Sequence, residues 1–274
     1  MSHTIVTYKG STNMRIDMRW LSEALNQSSS IKQVTNKTIL LGRDSVPIGD
    51  LFNISDKNFS ESVVLENSNN NMDYIGSHLQ ANLKIKVEGD SGHFTGSELA
   101  GGKLKIKGNT LNYTASNMKK GVIKVNGNCG DYAGGASVGR KKGMSGGTLV
   151  VHGNTGDFTG DLMRRGTIMV EGNIGDYCAS RMIAGTITNL GTIGKQVGVG
   201  MRRGTLLLPH KPEDMSTGFR DCGRHNLGFL TLLLHELRRH EGRFQSLHPM
   251  RRRVQLYEGD MAVGGQAEML IWIG

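Results

Sequence analysis

Apolar and polar positions between residues 83 and 209 fall into fixed columns with no helical stripe. Pairs of apolar residues separated by one position recur as Ile85/Val87, Leu104/Ile106, Ile123/Val125, Leu149/Val151, Ile168/Val170 and Leu206/Leu208, and Ile187/Asn189 keeps the register with one polar member. Lys103, Lys105, Lys107, Lys124, Thr148, Thr167, Glu171 and Thr186 lie between and beside them. Period two predicts short strands with an inward apolar face and a mostly polar outer face. Glycines punctuate the strands. Gly89, Gly108, Gly127, Gly153, Gly172 and Gly191 open units at spacings of 19, 19, 26, 19 and 19 residues. Gly102, Gly121, Gly147, Gly166, Gly185 and Gly204 follow thirteen residues later, or twenty where a seven-residue insertion falls. A period of this size signals stacked units.

Two further columns sharpen the picture. Phe94, Tyr113, Tyr132, Phe158 and Tyr177 share one register, and Leu99, Met118, Met144, Met163, Met182 and Met201 share another. Both are expected as vertical stacks of like side chains, with most of the aromatics buried. Nineteen residues are too few for a strand plus a crossover helix of ordinary length, so helical repeats are excluded. The expectation is an all-β fold, a parallel β-helix of about 19 residues per coil, its coils about 4.8 Å apart and six of them spanning about 29 Å. Glycine at the corners tolerates positive backbone angles and close approach of the next coil, and the chain has 39 of them.

The flanks lack the period. Residues 4–8 predict a strand, 20–26 a short helix, 38–41 and 46–54 two strands, and 62–65 and 83–87 irregular early coils. Residues 1–60 read as a cap, because the end of a solenoid exposes unpaired strand edge. Residues 210–225 are polar and read as a connector. Residues 226–241 predict a long helix with Leu227, Leu230, Leu234 and Leu237 on one side, to plug or flank the rod or to dock a partner. The expected division is 1–60 cap, 61–209 repeats, and 210–274 helix and closing segment.

Composition narrows the class. A chain of 274 residues with 37% hydrophobic and 21% charged residues is ordinary for a folded domain. The longest apolar run, 227–234, is far short of the roughly 18–20 residues that span a bilayer, so no membrane segment is expected. No signal peptide is read at the N-terminus. Cys129, Cys178 and Cys222 form no CxxC pair, which argues against a disulfide framework or metal site and fits a reducing cytoplasm.

No residue set asks to be an active site. His235 and His240 are five apart, so on a helix their imidazoles diverge by roughly 140° and cannot share a zinc as an HExxH pair does. Asp131, Asp157 and Asp176 form a carboxylate ladder that a metal could neutralise, but His93, Asn112 and Lys195 take that place in other units, and aspartate commonly accepts backbone N–H bonds at turns. The glycines alternate with strands, so they lack the strand-to-helix setting of a phosphate loop. Asn189 reads as a core asparagine capping the stack. No catalytic residue and no metal are expected.

The basic balance carries the functional content. Net charge is +9. Lys119-Lys120, Arg164-Arg165 and Arg202-Arg203 share one pair of columns in every second unit, with Ser145-Gly146 and Ile183-Ala184 between, which spaces like charges about 10 Å apart, near the Debye length. Arg140, Lys141 and Lys142 on the insertion join this stripe. An anionic partner is the expectation. Nucleic acid is not, because aromatics are only 5% and most are expected in the buried column.

The motifs also carry a family resemblance. Gly153-x2-Gly156-x3-Gly160-x2-Met163-x2-Gly166 has the GxxGxxxGxxMxxG pattern of the C-type subunit of formylmethanofuran dehydrogenase; the unit opened by Gly191 repeats it, and that opened by Gly172 departs only at Ala179. Val46-Pro47-Ile48-Gly49-Asp50-Leu51-Phe52 and the segment Gly259-Asp260-Met261-Ala262-Val263-Gly264-Gly265 resemble that family too. The resemblance implies a right-handed β-helix in a methanogen dehydrogenase or a methylotroph formyltransferase/hydrolase, a hetero-oligomer with A-, B- and D-type subunits. It implies no active site and no cofactor of the chain's own, with a methanofuran-type formyl carrier met at the level of the complex. Such carriers bear glutamates, so the basic stripe, Lys119, Lys120, Arg140, Lys141, Lys142, Arg164, Arg165, Arg202 and Arg203, would face carrier or partner subunits. The repeat is also similar to the C-terminal domain of the glutamate synthase large subunit, which leaves an amidotransferase domain as the alternative.

Overall fold

A computed structural model describes residues 3–10, 12–55, 59–248 and 250–273. The N-terminal part holds β1 (Thr4–Tyr8), β2 (Ile16–Asp17), α1 (Arg19–Asn26), α2 (Ile31–Thr35), β3 (Thr38–Leu41), β4 (Asp44–Pro47), α3 (Ile48–Leu51) and β5 (Phe52–Ile54). The single strand expected over 46–54 is broken in two by α3. Pro47 supplies no amide and enters the turn at φ −60°, and Ile48 and Leu51, three apart, bury on one side. β1 adds its edge in parallel to the first repeat strand, and β5 closes beside it antiparallel.

The repeats follow as β6 (Ser62–Glu66), β7 (Met72–Asp73), β8 (Lys84–Val87), β9 (Ala100–Ile106), β10 (Lys120–Val125), β11 (Ser145–Val151), β12 (Arg165–Val170), β13 (Thr186–Asn189) and β14 (Arg203–Leu208). All but β7 lie side by side and parallel, in chain order. Residues 62–65 and 83–87, expected as irregular, are regular members of this row. One residue per unit, from Ser91 through Thr110, Cys129, Thr155 and Ile174 to Ile193, bridges in parallel to its counterpart on another side of the stack. The Leu99 and methionine column is fully buried, as are the paired strand residues from Ile85 to Leu208. The molecule is thus mostly β and β-helix-like, with one apolar core running through the units.

Beyond residue 209 the structure departs from expectation. The expected connector contains β15 (Arg220–Asn226), and α4 (Leu230–Leu237) is half the expected helix; β16 (Arg253–Gly259) and β17 (Gln266–Trp272) then complete a 13-stranded sheet. β17 continues the parallel row beside β14, while β16 and β15 turn it antiparallel. The exposed last strand carries Arg220, Asp221 and Arg224, charges that discourage further edge pairing. Helix α4 flanks the sheet. Leu230, Leu234 and Leu237 pack with Phe244 onto Val150, Met169, Leu207 and Leu270, a second core on the outer face. No helix is long and apolar enough to cross a membrane among the described residues.

The aromatic column is not buried. Tyr74, Phe94, Tyr113, Tyr132, Phe158 and Tyr177 stack outside the core, centroids 4.8–4.9 Å apart and planes 4–12° from parallel, and Tyr177 is 38% exposed. All six sit at φ between 57° and 65°, the left-handed region, which swings the side chain outward from the corner. Their inner faces are consumed by each other and Arg19 covers Tyr74 at 4.9 Å, so the ladder offers a base little free surface to stack on.

Asp260 ties the closing segment down. Its Oδ2 accepts from the Gly200 amide at 3.0 Å and the Ser216 hydroxyl at 2.9 Å, and its Oδ1 from the Ala262 amide at 3.0 Å. Burial works against ionisation, yet the Ala262 and Gly200 amides and the Ser216 hydroxyl outweigh it and hold the carboxyl below its ordinary range.

Two tests follow from this packing. Gly166 has φ +100°, and a methyl there would meet Gly147 O at 2.6 Å, whereas one at Gly139 (φ +78°) would meet nothing within 4 Å. Gly166→Ala should therefore cost about 3 kcal/mol or more in chemical unfolding, against about 1–2 kcal/mol for Gly139→Ala; equal costs would overturn the close corner. Asp260 has a folded value below its unfolded one, so its contribution is present above about pH 4 and is lost as pH falls through the folded value. Asp260→Asn should be about 1–3 kcal/mol less stable at pH 7, with the gap narrowing as pH falls below about 4; urea unfolding across that range checks it, and a constant gap would contradict an ionised Asp260.

Candidate functional site

The corner ahead of each strand builds the site. Lys120, Arg165 and Arg203 are the first residues of β10, β12 and β14, and each is followed by a glycine of positive φ that turns the chain. In register beside them lie residues without positive charge: Ala100 faces Lys120, Ser145 faces Arg165 and Gln266 faces Arg203. The alternation therefore extends one strand further than the repeats, into β17.

Four of the nine basic residues converge. Arg164, Arg165, Arg202 and Arg203 line a cleft of about 510 Å³ around the smaller Ile183 and Ala184, walled by Val263, Gly264 and Gln266. No ion pair among the described residues involves these arginines. The wall residues carry no charge that would mark them as site residues in the sequence, although the family-like closing segment contains two of them. Asp260, at the start of that segment, fixes it to Gly200 and Ser216.

The other five separate from the cleft. Lys119 and Arg140 each reach Glu98 at 3.2 Å, and His78 approaches the same carboxylate at 3.6 Å. Burial opposes ionisation of Glu98, but Lys119, His78 and Arg140 together hold its carboxyl below the ordinary range. That pairing ties two cations of the stripe to one carboxylate, whose single charge offsets one of them. Lys120, Lys141 and Lys142 are exposed, and the Lys142 carbonyl accepts from Asn117 Nδ2 at 2.5 Å, which anchors the insertion.

The remaining candidates have structural partners. Asp131 Oδ1 accepts from the Asp157 amide at 2.9 Å, Asp157 from Asp176 at 2.8 Å and Asp176 from Lys195 at 2.7 Å, so each carboxylate binds an amide of the next unit. Among the described residues no cluster of His, Cys, Asp or Glu is placed to hold a metal. His240 lies past the end of α4, where burial and nearby Lys124 lower its imidazole against the opposing pull of Glu236. Asn189 is buried and donates to Gly172 O at 2.6 Å. Burial pushes the Cys129 and Cys178 thiols up to about 12, which leaves neither as a nucleophile at neutral pH.

No protein-family model and no curated protein matches the chain. A solved structure does: one chain of the formyltransferase/hydrolase complex (FhcABCD) from Methylorubrum extorquens in complex with methylofuran, at 33% identity and a TM-score of 0.89. The match covers 98% of this chain and 100% of that one. At that identity over nearly all of both chains, the chain belongs to the family of this formyltransferase/hydrolase complex subunit.

Proposed function

We propose that the chain is the C-type member of a formyltransferase/hydrolase complex in tetrahydromethanopterin- and methanofuran-linked one-carbon metabolism. It acts there as a scaffold with no active site of its own, beside A-, B- and D-type subunits in the cytoplasm. The observation that carries this reading is the likeness, over 98% of this chain and 100% of the other, to a chain whose complex was solved with methylofuran. The GxxGxxxGxxMxxG units and the segment around Asp260 support the C-type assignment in particular. A right-handed parallel β-helix is the finer fold assigned, since parallel strands joined by crossovers take that hand almost without exception. The division into a cap to residue 60, repeats to 209 and a closing part to 274 is kept as part of this reading, with one sheet running through all three.

The arginine cleft is assigned to the anionic carrier. Four guanidiniums without an internal counter-charge among the described residues suit a chain of carboxylates, which arginine binds in bidentate fashion.

Two measurements test this. Purified from its natural source, the chain should bring A-, B- and D-type subunits with it; a flavin and iron–sulfur enzyme instead would favour the glutamate-synthase-like alternative. Reversing Arg164, Arg165, Arg202 and Arg203 to glutamate in the assembled complex should weaken carrier use about tenfold or more at low salt and flatten its salt dependence; unchanged kinetics would refute the carrier assignment.

A further inference from the structure

A second basic surface lies away from the arginine cleft, on the outer face of the early strands. The register places Lys86, Lys105 and Lys124 directly beside one another across β8, β9 and β10, and Lys84 beside Lys103 in the neighbouring row. Adjacent strands are about 4.8 Å apart, and like charges directly opposite on neighbouring strands are destabilising. The corner arginines avoid this arrangement by alternation; the lysines do not.

Counter-charge on this face is sparse. Lys86 and Lys107 share Glu88, Lys105 and Lys124 each reach Glu241 at 3.5 Å, and Lys84 and Lys103 pair with no carboxylate among the described residues. The lysines frame a groove of about 250 Å³ in which the half-buried Val122 is the apolar side chain on their own outer face, while Ile85 and Leu104 beneath it face the core.

The same outer column explains what the groove awaits. In later units it holds Val150, Met169 and Leu207, and the chain's own α4 covers them. The cover ends where the column turns to lysine. At the lysine end of that cover stands Glu241, whose carboxylate lies between Lys105 and Lys124 and is held in its ionised form by both. Glu241 thus shows, within the chain, the kind of group that settles over this surface.

We infer that the outer face of β8, β9 and β10 is a docking surface for an acidic segment of a partner protein chain, laid across the strands so that its carboxylates continue the row begun by Glu241. This rests on the reading of the chain as a subunit of a hetero-oligomer. Val122, an apolar side chain among the lysines, suits a protein segment with an aliphatic side chain between its carboxylates better than a free polyanion.

The experiment uses the full-length chain in its native assembly, with a photo-cross-linking residue at Val122 in the groove. Cross-links to a peptide of a co-purifying subunit rich in aspartate and glutamate are expected. In parallel, Lys84→Glu with Lys103→Glu should lower partner retention at least about tenfold at roughly 0.15 M salt, and the neutral pair Lys84→Gln with Lys103→Gln should lower it less. The neutral pair removes repulsion across the strands, so its thermal midpoint should not fall. Partners that co-purify with no cross-link, or retention unmoved by either pair, would overturn the docking surface while leaving the subunit reading intact. Cross-links to bound carrier or nucleic acid would overturn it as well. A wild-type chain that brings no partner would instead refute the subunit reading on which the inference rests.

Discussion

Every unit must rise by the same few ångströms, because the chain pairs with itself in several places at once. The long sheet, the bridge residues from Ser91 to Ile193 and the ring ladder each impose that step, and the ring centroids report it directly at 4.8–4.9 Å. A unit that satisfied one ladder and missed another would lose backbone hydrogen bonds in a region where water cannot replace them. This explains why side chains repeat along columns with so little variation. It also explains why glycine recurs where a neighbouring backbone leaves no room for a methyl group.

Uniform rise turns side chains into ladders, and ladders amplify whatever they carry. Amide-binding groups gain from it. Asp90, Asn109, Asn128, Asn154 and Asn173 pass hydrogen bonds from unit to unit beside the aspartate series, and each satisfies a corner amide that would otherwise be orphaned. Charges lose from it. The arginine column relieves the loss by skipping every second unit, and Lys119 and Arg140 relieve it through Glu98. On the outer face of β8, β9 and β10 alternation is absent, and Glu88 and Glu241 offset only part of the lysine row.

The repeat region is legible in the sequence because its constraint is periodic: the glycine spacing and the Met118-to-Met201 column locate the strands and the core without further help. The aromatic column misleads because hydrophobicity alone cannot report backbone sign. Non-glycine residues at positive φ are uncommon enough that Tyr113 or Phe158 would not be assigned it from sequence. Strands β15, β16 and β17 escape a search for periods because they pair antiparallel or join the stack once, leaving no repeat to find. A usable signal for the second core lies in the change from Lys86, Lys105 and Lys124 to Val150 and Met169 in one column, which marks where a cover begins. The stripe of nine basic residues is legible as a charge pattern, but its division into a cleft and a partly neutralised part depends on Glu98 and Gln266, which are remote in sequence.

The alternation of bulky cations with small residues has a consequence for how such a protein can change length. Excising one circuit, such as residues 172–190, would preserve every hydrogen-bonded and aromatic ladder, since each is indifferent to which neighbour it meets. It would also remove Ile183 and Ala184, which separate the two arginine pairs, and press Arg164-Arg165 against Arg202-Arg203. Insertions and deletions compatible with an open cationic cleft should accordingly come in doublets of circuits, a counting rule imposed by electrostatics on a backbone that would accept any whole number.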